Sequence, residues 1–114
     1  MMRYVEPQPT GRQRLRAAVA AGDADGISAA LISAAFHEED GEWVQDWALE
    51  LLAHPSPDVR RAAALSLGHV ARIHRRIDHH LVLPRLQALL DDPEVGGTAE
   101  NALDDIRMFT AQET

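Results

Sequence analysis

The side chains able to hold a metal ion or move a proton gather in one short stretch: His69, His74, Asp78, His79 and His80. His74 and Asp78 have the spacing that sets two side chains on one face of a helix, where zinc could bridge them. Two features argue against a metal centre. The adjacent His79 and His80 would splay apart on a helix, and Asp78 stands just before an apolar helical run, where its carboxylate serves as an N-cap. With no cysteine in the chain there is neither a thiolate ligand nor a disulfide framework. No nucleophile stands beside a base, and no glycine-rich loop is built to cradle phosphate. The expectation is a protein with no catalytic residue, no metal and no cofactor.

The remaining chemistry is charge and aromatic surface. Eighteen acidic residues stand against 11 basic ones, all of them arginine, for a formal net charge of −7. Such a molecule repels phosphate backbones and attracts basic partners. Two acidic groups are candidates for that contact: Glu38, Glu39, Asp40, Glu42 and Asp46 around Trp43, and Glu100, Asp104 and Asp105 near Met108. An aromatic anchor ringed by carboxylates has the composition of a hot spot for a basic protein. Trp47 falls in an apolar stripe and is expected in the core. Arg60, Arg61, Arg72, Arg75 and Arg76 form a local basic feature, which is the footprint of nucleic-acid binding. The acidic total opposes that reading, and the sequence leaves open whether these arginines pair with neighbouring acids or bind a ligand.

The elements that must position these groups are helical throughout, since apolar residues recur at three- and four-residue spacing and strand signals are nearly absent. Thr10 and Gln13 form a capping-box pattern that opens a first helix, stopped by Gly22. A turn at Asp23 to Gly26 leads to a second helix ending near His37. Asp40 caps a third, whose stripe is Val44, Trp47, Ala48, Leu51 and Leu52. Pro55 breaks it, and Pro57 suits the first turn of a fourth helix reaching Ile73, with Val59, Ala62, Ala63, Leu67, Val70 and Ile73 on its buried face. Asp78 caps a fifth helix, kinked or started by Pro84, and Pro93 opens a sixth.

Sliding "PDVRRAAALSLGHV" from Pro57 along the chain by 36 residues lays it on "PEVGGTAENALDDI" from Pro93, aligning Val59, Ala63, Leu67 and Val70 with Val95, Ala99, Leu103 and Ile106. Two-helix units of this length bury no apolar face alone, so they are expected to stack side by side. The fold class expected is all-α: a short α-solenoid of about three helical hairpins, one domain over residues 1–114 with an irregular arm at 1–9. Its predicted core joins Leu51, Leu52, Val59, Ala63, Leu67, Val70, Leu86, Leu89, Leu90, Val95, Ala99 and Leu103.

"LLAHPSPDVRRAAALSLGHV", from Leu51 to Val70, resembles the HEAT-repeat consensus. In that family a first helix ends in Leu-Leu, a turn carries Asp and Pro, and a second helix opens with Val-Arg and runs through alanines to Leu-Gly. The resemblance continues in Leu89–Ile106, where Gly96 and Gly97 replace Arg60 and Arg61 as in a terminal cap, and fades upstream of Glu42. The C-terminal two thirds also resembles small bacterial HEAT-repeat proteins, some of them immunity proteins encoded beside secreted toxins. That resemblance implies a non-catalytic protein-binding module that occludes the active site of a basic toxin domain. The alternatives on a HEAT scaffold are a lyase-like or DNA-glycosylase-like factor and a regulatory subunit. A diiron hydroxylase needs several His-Glu pairs, and only His37-Glu38 is present. The apolar stretches fall short of the ~18 residues of a membrane span, no signal peptide is visible, and the lack of cysteine points to a reducing cytoplasm. Neither nucleic acid nor membrane is an expected partner.

Overall fold

The computed structural model describes residues 11–111, in which six helices follow one another without a strand. They are α1 (Gly11–Ala21), α2 (Ala24–His37), α3 (Gly41–Leu51), α4 (Pro57–His74), α5 (His79–Gln87) and α6 (Gly96–Phe109). The arm expected at residues 1–9 and the capping residue Thr10 lie outside the described residues. Helices α2, α4 and α6 lie side by side as one layer, and α1, α3 and α5 pair with them as the first helices of three hairpins. α4 is the central member, packed against α2, α3 and α6.

The local starts and stops follow from single residues. α1 ends at Gly22, whose φ of 66° is a left-handed turn. Asp23 accepts a hydrogen bond from Gly26 N at 3.0 Å, so α2 begins at Ala24 and the turn expected to reach Gly26 is shorter than the sequence reading placed it. Asp40 and Asp78 cap α3 and α5 as expected, accepting from Trp43 N and Leu81 N, each at 3.2 Å. Pro57 occupies the first turn of α4, where its missing N–H costs nothing.

The sixth helix departs from expectation. It starts at Gly96 and not at Pro93, because Asp92 Oδ1 accepts from Glu94 N at 2.8 Å and from Val95 N at 3.3 Å, closing a turn over the proline. A Cβ on Gly96 would lie 2.4 Å from the carbonyl oxygen of Leu90, so the chain passes there closer than any side chain allows. α5 ends early for a related reason: Leu89 N and Leu90 N bond to Leu86 O and Gln87 O, tightening the chain into successive turns. Pro84 lies inside α5 and does not set its start.

The core runs continuously through all three hairpins, from Leu15 to Ile106. Ten of the twelve predicted core residues are buried. Leu89 is partly buried against that core, and Leu90 is 42% exposed, turned outward by the tight bends after α5. The 36-residue register holds at atomic level, since Val59, Ala63, Leu67 and Val70 and their counterparts Val95, Ala99, Leu103 and Ile106 are all buried. Ile73, assigned above to the packed face, is exposed, and Ala64 and Gly68, which lie outside the stripe assigned to that face, are buried. The correction follows from the central place of α4, which has neighbours on three sides rather than one.

Candidate interaction surface

The first acidic group surrounds the turn from α2 to α3, and part of it is already engaged. Arg12 donates from Nη2 to Glu38 Oε1 at 3.0 Å and to Asp40 Oδ2 at 3.3 Å. Its hydrogen bond holds the Glu38 carboxyl below the usual carboxylate range. The same guanidinium lies 4.9 Å from the Trp43 ring centroid, and Trp47 meets Trp43 edge-on at 6.3 Å. Both indoles are partly buried against the core, so Trp43 is covered on one face by Arg12 and on another by Trp47. Glu39, Glu42 and Asp46 remain exposed. Glu39, Asp40 and Glu42 line a cavity of about 580 Å³ with His74, Arg76 and Asp78.

The second group divides along α6. Glu100, Asp104 and Met108 follow one stripe and are exposed, Met108 to 74%; Asp104 pairs with Arg107 at 3.4 Å. Asp105 lies on the other side, over α4: a Cβ on Gly68 would sit 2.9 Å from its Oδ2. The structure therefore separates Asp105 from the residues with which it was grouped in sequence.

The histidine stretch is dispersed. His69 packs its ring on Phe36, with centroids 4.4 Å apart, and burial lowers its pKa below the ordinary histidine value, opposed in part by the Asp105 charge and reinforced by Arg72. His74 lies against Gly41, and His79 Nε2 meets Thr110 Oγ1 at 2.8 Å. Among the described residues no group of three or more His, Cys, Asp or Glu side chains is placed to hold a metal ion.

The arginines divide too. Arg60 donates to the carbonyls of His54 and Pro55, both at 2.9 Å, and lies 3.6 Å from Asp92 and 3.8 Å from Glu94 of the next hairpin. Arg61 pairs with Asp58 and donates to Glu94 O at 3.2 Å. These two belong to the joint between repeats. Arg75 caps α4 in the left-handed region, φ 58°, with its guanidinium 5.2 Å from the Phe109 ring centroid.

One surface was missed in the sequence. A groove of about 590 Å³ crosses α2, α4 and α6, and each helix lines it with the same i, i+3, i+4, i+7 stripe, beginning at Asp25, at Asp58 and at Thr98. Ile32 and Leu65 end the first two stripes and Asp105 ends the third. The signal was available in the recurrence of an aspartate and, seven residues on, a branched aliphatic residue in both α2 and α4. Nothing in sequence showed that the third stripe would lie beside them.

Comparison with known proteins agrees with this architecture. Residues 48–74, from within α3 to the end of α4, match the family model of the HEAT repeat. The whole fold is similar to a chain in the crystal structure of a CDI complex from Cupriavidus taiwanensis LMG 19424, with a TM-score of 0.79 and 29% sequence identity, covering 97% of this chain and 100% of that one. No curated protein matches. None of the described helices is long and apolar enough to cross a membrane.

Proposed function

We propose that this chain is an immunity protein, a non-catalytic module that binds a basic toxin domain in the cytoplasm and occludes its active site. The observation that carries the reading is the match, along nearly the full length of both chains, to a protein of a CDI complex, a toxin-immunity assembly. At 29% identity the likeness extends beyond shared helix packing to a shared sequence. The partner is a protein, and neither nucleic acid nor membrane enters the mechanism.

The physical route is steering followed by burial. A net charge of −7 draws a basic cleft toward the molecule from beyond contact distance, and apolar side chains desolvated on docking then hold it. Glu39, Glu42 and Asp46 at one end, exposed and not paired with Arg12, and the exposed Glu100 and Asp104 beside Met108 at the other, supply the steering charge. Glu38, Asp40 and Trp43 act as a structural base for the first group, held by Arg12.

The experiment is to read the genes flanking this one and to co-express this chain with the C-terminal domain of any large secreted protein encoded there; a locus with no such gene counts against the reading. The expected outcome is restored growth of the host and a complex that co-purifies, with association slowing as salt is raised. Unchanged toxicity together with separate elution of the two proteins would rule out the immunity role.

A further inference from the structure

The groove across α2, α4 and α6 combines apolar side chains with three carboxylates, two of which have no ion-pair partner among the described residues. Leu65 is 40% exposed and Ile32 is half-buried, and alanines such as Ala29 and Ala62 leave space between them. Asp25 enters from α2, Asp58 from α4 and Asp105 from α6. The guanidinium in the lining is that of Arg61, already committed to Asp58 and to the carbonyl of Glu94. Asp25 and Asp105 have no ion-pair partner among the described residues. Asp25 and Asp58 thus mark the end of the groove at the helix starts, small residues such as Ala29 and Ala62 line its middle, and two helical turns further along Ile32 and Leu65 lie level with Asp105.

We infer that this groove receives a segment of the protein partner in which an aliphatic side chain is flanked by arginine or lysine. The aliphatic group would fill the space over Leu65 and Ile32, and the flanking cations would meet Asp25 at one end and Asp105 at the other. Charge complementarity selects this occupant, because an acidic or phosphate-bearing segment would leave two unpaired carboxylates facing like charge. The inference rests on the immunity reading and deepens it by naming the contact surface. The two acidic groups legible in sequence then steer from outside, with Asp105 alone shared between steering group and groove.

The test is binding of the toxin domain identified by that co-expression, by biolayer interferometry, to the full chain and to variants at exposed groove positions. Leu65→Arg and Ala29→Arg are expected to weaken binding at least about tenfold, and Asp25→Lys to do so with the larger share in the dissociation rate. Glu39→Lys with Glu42→Lys is expected to slow association and leave dissociation unchanged. Circular dichroism confirms that each variant is folded, and Ala29→Ser, which preserves the groove, keeps wild-type affinity. If the groove variants bind as wild type does while the Glu39 and Glu42 variant loses the complex, the groove inference falls and the immunity reading stands. If the wild-type chain does not bind the toxin domain, both fall. Light scattering covers the remaining occupant: a wild-type dimer that Leu65→Arg converts to monomer makes the groove a self-interface and overturns the inference.

Discussion

The hairpins α3–α4 and α5–α6 bury the same core register in different surroundings. α4 is enclosed by α2, α3 and α6, so even its Ala64, Ser66 and Gly68 are inaccessible; α6 packs on α4 and α5 and presents Glu100, Asp104 and Met108 outward. The two also begin differently. α4 follows a proline at its first position, whereas α6 emerges from a turn closed by Asp92 and from a backbone contact at Gly96. The lesson is that a repeat conserves the spacing of its buried side chains and leaves the helix start to be set locally.

That contrast can be broken by measurement. The largest effect is expected at Leu67, fully buried in the central helix, where Leu67→Ala should cost about 2–5 kcal/mol in urea unfolding. The equivalent Leu103→Ala, at a site 6% exposed in the terminal helix, should cost less; equal losses would show that the two hairpins are equally enclosed. Next is Gly96→Ala, expected to cost about 1–3 kcal/mol because the backbone of Leu90 must shift to admit a methyl group. A neutral result would remove the close approach as the reason that α6 starts where it does.

A third measurement uses pH. Burial lowers the pKa of His69, so below about pH 6.5 the unfolded chain binds a proton that the folded chain resists. Stability should therefore fall as the pH drops from 6.5 toward the lower folded value, with Arg72 deepening and Asp105 moderating the loss. His69→Gln should flatten that part of the profile, and a wild-type profile that the substitution leaves unaltered would contradict it. The smallest effect is expected for Arg12→Ala at the other end of the molecule. Its guanidinium is exposed and pairs with an exposed Asp40 and a half-buried Glu38, so the change in melting temperature should be slight and should shrink in high salt, while Trp43 fluorescence responds to the lost guanidinium.

Much of this molecule is written in periodicity. The 36-residue register, the caps at Asp40 and Asp78 and the proline start of α4 are local or repeated signals, and the structure reproduces them. The sixth helix was misplaced because Pro93 reads as a first-turn residue until the Asp92 turn is seen to enclose it. Ile73 and Leu90 read as buried in sequence because a helical wheel knows one neighbour, whereas exposure depends on every helix within reach and on where a helix ends. For the candidate surface, sequence located the charged groups and could not show Arg12 arriving from α1 to occupy Glu38 and Asp40. The groove was illegible for a deeper reason: its stripes are far apart in sequence and become one surface only when three helices lie in register.

That register has an evolutionary consequence. On α2 and α4 the outward stripes begin at Asp25 and Asp58, while the inward ones run through Ile27 and Leu31 and through Val59, Ala63 and Leu67. Small residues such as Ala62 and Ala102 are where the two sets meet, buried and yet at the groove wall. Asp25, Ile32 and Leu65 can consequently change in size or sign with little effect on what holds the helices together, whereas Asp58 is tied to the joint through Arg61. A lineage can replace its outward vocabulary while its inward grammar stays fixed, and two descendants with the same backbone can come to present unrelated surfaces.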